Sequence, residues 1–164
     1  MQRTPSTTNR GVSFVEIIVA AAIIMVLVGT VISVYNLYLS RFDQTTASIK
    51  ASYLTQEGVE AIKTFRDESW SNNIAPLDHN TKYYLTFSTS SSSWATTTDP
   101  FLVDGTYKRW VELEKVYRDS EDDIAASGTN DPDTKKVTVH VAWDGISGTT
   151  TKETTTYITN LFDN

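Results

Sequence analysis

From Ile17 to Ser40, 24 consecutive residues carry no charge, and Ile17–Val28 reads IIVAAAIIMVLV. At 1.5 Å rise per residue that run makes about 36 Å of helix, against roughly 30 Å of bilayer hydrocarbon. Length and hydropathy together predict a membrane-spanning segment over residues 12–40. After Ser40 the pattern becomes amphipathic. Small or apolar residues recur at Ala47, Ala51, Leu54, Gly58, Ala61 and Phe65, in steps of 4, 3, 4, 3 and 4, which is the helical period. Ile62 widens that face, and Glu60 and Lys63 stand at i, i+3 spacing for an ion pair. Tyr53, Gln56 and Glu57 read as helix surface, and Gly58 as a point of close approach by a strand or another helix. No proline interrupts Val12 to Asp67, so one helix is expected to run through both regimes. Its second stretch, 41–68, would then lie under a sheet.

From residue 69 the periodicity changes again. Ser69–Asn73 is expected to end the helix and open a loop through Pro76 and Asn80. Lys82–Ser88 (KYYLTFS), Tyr107–Tyr117 (YKRWVELEKVY), Lys135–Asp144 (KKVTVHVAWD) and Thr149–Phe162 read as strands, being β-branched, aromatic and partly alternating. The third is the cleanest: Val137, Val139, Val141 and Trp143 face one way, and Thr138, His140 and Ala142 the other. In the second, Arg109, Val111, Leu113, Lys115 and Tyr117 share a face opposite Val116. Asp144-Gly145 and Gly148 turn the chain. Ser88–Pro100 is rich in Ser and Thr and reads as an exposed loop, with Trp94 either a local anchor or a surface contact. The fold class is therefore α+β, a long N-terminal helix packed against a small antiparallel sheet forming a head over 69–164.

Composition narrows the function. The 14 Lys+Arg against 20 Asp+Glu leave a net charge of −6, which argues against nucleic acid as a partner, since phosphate binding needs clustered cations. With no cysteine there is no disulfide framework, thiolate metal site or cysteine nucleophile. His79 and His140 are 61 positions apart with no second ligand at metal-binding spacing. No glycine-rich phosphate loop and no serine nucleophile elbow appears, so no catalytic role is expected. The one acidic concentration holds Asp119, Glu121, Asp122 and Asp123, followed by Asn130, Asp131 and Asp133. Calcium takes six to eight oxygens and extracellular sites are often weak, which makes Asp119, Asp122, Asp131 and Asp133 calcium candidates. A solvated loop is the competing reading, with Asp131-Pro132-Asp133-Thr134 as a turn before a strand.

The segment before the apolar run is short and polar, MQRTPSTTNRG, with Arg3 and Arg10 as its charges. Basic residues on this flank favour keeping that end in the cytoplasm. A secretory signal peptide fits less well, because the apolar run exceeds the usual 7–15 residues and no small-x-small cleavage site follows it. Glu16 stands at the mouth of the run. A carboxylate at the centre of a bilayer helix costs on the order of 2.5–3.5 kcal/mol, and less near an end. Its bland explanation is a side chain reaching to the headgroup boundary.

Arg10-Gly11-Val12-Ser13-Phe14-Val15-Glu16, followed by a long apolar helix, resembles the N-terminus of type IV prepilins and type II secretion pseudopilins. The resemblance implies cleavage of a 1–11 leader by prepilin peptidase between Gly11 and Val12, and N-methylation of Val12. It also implies assembly into a pilus or pseudopilus through the helix, with Glu16 meeting the ammonium of a neighbouring subunit's new terminus. Removing one member of such a buried pair strands the other, at a cost of about 3–5 kcal/mol. The implied partners are the peptidase, other pilin or pseudopilin subunits, an inner-membrane assembly platform and the lipid bilayer. The implied location is the cytoplasmic membrane with the head outside, then a filament. Losing Arg3 and Arg10 would leave 12 basic against 20 acidic side chains, a balance of −8. The pattern departs from the family at Val12, where Phe or Met is usual, at Ser13-Phe14-Val15, and in lacking a helix-kinking proline. The short head, with no cysteine, leans toward a minor pilin or pseudopilin. The rival expectation is a single-pass surface protein, an adhesin or receptor, merely anchored by the helix.

Overall fold

The computed structural model describes residues 13–145 and 148–162. Helix α1 runs Phe14–Glu68 and a single π-helical turn follows at Trp70–Ile74. The strands are β1 (Tyr83–Ser88), β2 (Ser93–Thr97), β3 (Leu102–Val103), β4 (Tyr107–Arg118), β5 (Ile124–Ala125), β6 (Thr129–Gly145) and β7 (Gly148–Thr159). They form one antiparallel sheet in the order β2-β1-β4-β6-β7, with β3 and β5 paired to β4. Two units divide the chain at Asp43/Gln44. The first contains the apolar stretch of α1; the second contains the rest of α1 and the whole sheet.

The expected α+β head is present. Val111 and Leu113 of β4, Val137 and Val139 of β6, Leu85 of β1 and Ile158 of β7 are buried together with Ala61, Ile62 and Phe65 of α1. A second cluster joins Ala51 and Leu54 to Tyr107, Val141 and Trp143. Each large side chain so buried contributes about 1.5–3 kcal/mol. The 4-and-3 stripe read from the sequence is thus the stripe that meets the sheet. Gly58 sits where the two surfaces come closest: a Cβ there would stand 2.6 Å from Val139 Cγ1. The Lys63–Glu60 pair also forms, at 2.8 Å.

Four local expectations need correction. The segment after Glu68 is not a plain loop. Ser69 Oγ accepts from the Asn72 N–H at 3.3 Å, and the π-turn that follows buries Trp70 and Ile74. An apolar pair reached the core here through one more turn of helix. Second, Ser88–Pro100 contains strand β2, paired to β1 from Tyr84↔Thr97 to Ser88↔Ser93. Hydroxyl-rich residues hid a hairpin whose anchor is Trp94, edge-on to Phe87 at 5.2 Å. Third, the β4–β6 register shifts between Lys115 and Val116, which brings Val116 to the buried side. A bulge places two consecutive residues opposite an irregular partner and interrupts strict alternation. Finally, Asp131–Thr134 is not a turn before a strand but part of β6, with Asp131 opposite Val116.

Candidate functional site

The apolar stretch of α1 is the most unusual surface of the protein. All of the large hydrophobic side chains from Phe14 to Phe42 are exposed, Phe14 itself to 76%. They number nineteen, and covering them is worth on the order of a few tens of kcal/mol. Water is therefore the wrong medium for this surface. The helix is long and apolar enough to cross a membrane. Its polar side chains agree with that. Thr30 Oγ1 donates to the carbonyls of Leu27 at 2.7 Å and Val26 at 3.1 Å, and Ser33 Oγ donates to that of Gly29 at 2.9 Å. These hydroxyls are satisfied within the helix and demand nothing of a hydrocarbon surround. Tyr35 and Tyr38 stand near the far end of the run, with Tyr38 and Phe42 stacked at 6.5 Å. Amphipathic rings at that level suit a membrane–water interface.

Glu16 lies in the first turn of α1. The Ser13 carbonyl accepts from the N–H groups of Glu16 at 2.9 Å and Ile17 at 3.2 Å, so the helical ladder begins just ahead of the acid. A carboxylate here is favoured by the partial positive charge of the helix start. Gly11 and Val12, the expected cleavage and methylation positions, lie outside the described residues.

The calcium candidates are drawn into other contacts. Arg118 Nε lies 2.7 Å from Asp131 Oδ2 and 3.6 Å from Asp122 Oδ1, and its Nη1 donates to the Asp122 carbonyl. Asp119 Oδ1 accepts from the Glu121 and Asp123 N–H groups at 2.9 and 3.0 Å, and Asp131 Oδ1 from that of Asp133 at 3.0 Å. Arg118 thus already pairs with two of the four candidate carboxylates, Asp122 and Asp131. Among the described residues no three His, Asp or Glu side chains are grouped to hold a metal. Burial works to raise the Asp131 carboxyl, yet hydrogen bonds from Arg118, Thr134 and the Asp133 backbone hold it below the usual value.

The two histidines are far from each other in role as well as in sequence. His140, opposite Trp110 in the β4–β6 ladder, stacks on that indole with centroids 5.0 Å apart, and its Nδ1 lies 3.4 Å from Glu153. His79 sits in the loop before β1, where burial and then Lys135 and Lys115 push its imidazole below the ordinary value.

No protein-family model, no curated protein and no solved structure matches this chain.

One short ion pair joining the helix to the sheet of the head was missed in the sequence. Glu57, read as helix surface, accepts from Arg109 Nη1 at 2.6 Å. Arg109 is only 4% exposed, and its guanidinium also lies 5.0 Å from the Trp94 ring centroid. The signal was available: Arg109 stands between Tyr107 and Val111 at an inward position of a strand. An arginine there needs an acid across the interface, and the stretch of helix lying opposite offers Glu57.

Proposed function

We propose that this chain is a type IV pilin-like structural subunit, a minor pilin or pseudopilin, that is cut after Gly11, methylated at Val12 and assembled through its N-terminal helix. The observation that carries this reading is the uncovered apolar stretch of α1 with an acid in its first turn, on the same helix that forms the core of a small β head. A plain anchor needs the apolar side chains but has no use for Glu16 beyond the helix start. A filament needs both. Leaving the bilayer exposes apolar surface unless neighbouring copies replace lipid, and a carboxylate paired with an ammonium fixes which helix register forms. Apolar contacts alone permit sliding. The precursor would sit in the cytoplasmic membrane with its basic flank inside and its head outside, and its partners would be prepilin peptidase, an assembly platform and related subunits.

A second reading, a single-pass surface protein, is favoured by the placement of Glu16 itself, because an acid in the first turn is stabilised by the helix dipole without any partner. Mass spectrometry of protein taken from cells separates the two. The pilin reading expects an N-methylated Val12 terminus; an intact Met1 terminus on all of the protein refutes it. With processing established, Glu16→Ala should insert in the membrane normally yet be lost from sheared filaments. Unchanged incorporation would remove the pairing role.

A further inference from the structure

The C-terminal end of α1, the π-turn and strand β2 enclose a cleft of about 320 Å³. Phe65 of α1, Asn72 and Asn73 of the turn, Leu77 beyond it, and Trp94 and Thr96 of β2 line it. Its volume is at the small end of ligand sites. None of its lining side chains is ionisable, unlike those of the clefts beside Lys108 and Asp144 and beside Arg118 and Asp131. An ion therefore finds no counter-charge here, and a wholly apolar molecule would cover polar groups without bonding them.

Those polar groups have unused capacity. Asn73 Nδ2 donates to the Phe65 carbonyl at 3.2 Å, and Asn72 Nδ2 to Ser69 Oγ at 3.0 Å. Each amide nitrogen is committed, which leaves each Oδ1 as the available acceptor. Among the described residues neither oxygen accepts a hydrogen bond, and the Thr96 hydroxyl has no partner. Phe65 and Leu77 belong to the core or pack on it, so that wall is fixed and apolar. Trp94 is held as well, by Phe87 edge-on at 5.2 Å and by the Arg109 guanidinium 5.0 Å from its ring centroid. Spare acceptors, a hydroxyl, an apolar wall and no charge fit a neutral molecule with hydroxyl groups around a C–H framework.

We propose that this cleft binds a neutral pyranose unit, as a free sugar or as one residue of a glycan. The sugar hydroxyls donate to the Asn72 and Asn73 amide oxygens and exchange hydrogen bonds with Thr96, while ring C–H groups cover Phe65, Leu77 and the indole. Because Asn73 and Trp94 are already held in place, little ordering accompanies binding. Binding here does not depend on whether the chain assembles into a filament.

The test uses the full chain in micelles of a polyoxyethylene detergent, because sugar-headed detergents would compete. Tryptophan fluorescence and saturation-transfer NMR follow the titrations. Glucose, galactose and N-acetylglucosamine are the single-ring probes and maltotriose the chain probe; glucuronate, adenosine and glycerol are the charged, planar and solvent controls. At least one neutral saccharide should bind saturably with a Kd on the order of 1 mM, the range set by roughly a dozen heavy atoms per ring. Thr96→Val, which keeps the shape, and Asn72→Ala, at an exposed position, should each weaken that binding about three- to tenfold while the circular dichroism stays that of wild type. Maltotriose binding at least as tightly as the single rings identifies a glycan residue as the occupant, and binding of single rings alone identifies a free sugar. The proposal is overturned if no saccharide gives a saturable signal, if glycerol matches the sugars, if glucuronate or adenosine binds as tightly as the best neutral sugar, or if neither variant weakens binding.

Discussion

Gly58 offers the sharpest check on how the helix meets the sheet. A methyl group added there would stand 2.6 Å from Val139 Cγ1, with Arg109 Cδ and Leu85 Cδ1 each at 3.5 Å. The first distance is about 1 Å inside normal carbon contact. Val139 is fully buried and β-branched, so its methyl cannot swing aside without leaving its rotamer. Overpacking of this kind costs about 1–3 kcal/mol. Against it, alanine in place of glycine within a helix gains about 1 kcal/mol. The net expectation for Gly58→Ala is a loss of about 1 kcal/mol, or roughly 4 °C in Tm for a head of this size. Because the two contributions nearly cancel, the single variant decides little, and the cycle with Val139→Ala decides more. Val139→Ala alone should cost about 2 kcal/mol through lost burial and a cavity. In that background the clash is gone, so Gly58→Ala should become stabilising by about 1 kcal/mol. The coupling between the sites is then about 2 kcal/mol, several times the additivity error of distant pairs. Urea unfolding of the full chain in micelles, followed by tryptophan fluorescence, measures all four corners. A Gly58→Ala effect of the same sign and size in both backgrounds would refute the claim that close approach to Val139 selects glycine here.

Further outcomes follow from the ion pairs and the acidic loop. Glu57→Ala leaves the buried Arg109 guanidinium without its carboxylate and should cost about 1–2 kcal/mol, discounted because Glu57 is half exposed; urea midpoints of Glu57→Ala and Glu57→Gln, the latter retaining an acceptor, check it. The Asp131 carboxyl is held below its unfolded value, so the stability it adds is fully present above about pH 4 and is lost progressively as pH falls below that, through its lower folded value. Asp131→Asn should therefore melt below wild type at pH 7, and the gap should narrow as melts are taken at pH values progressively below about 4; a gap independent of pH counts against the Arg118 pairing. Since Arg118 already sits among the carboxylates, EDTA and millimolar calcium should leave Tm in the same place. A calcium-dependent rise of several degrees would show instead that the loop rearranges to release its carboxylates.

What the sequence determined alone was whatever a local period or a local excess encodes. A run of 24 uncharged, predominantly apolar residues predicts a helix of bilayer length, and steps of 4 and 3 from Ala47 to Phe65 predict one buried stripe. Val137, Val139 and Val141 specify a strand with one dry face, and small size at Gly58 marks a close approach. Tertiary structure decided the rest, because there the outcome depends on which partner a residue meets. Within Ser88–Pro100, Trp94 is anchored by Phe87, by the Arg109 guanidinium and by the core, partners that lie outside the segment. Trp70 and Ile74 became core because a capped extra turn carried them back to the sheet. The pairing of Glu57 with Arg109 spans 52 positions. Periodicity reports which way a side chain faces. Charge neutralisation and ring packing depend on what lies opposite, and that is fixed only when distant segments are brought into register.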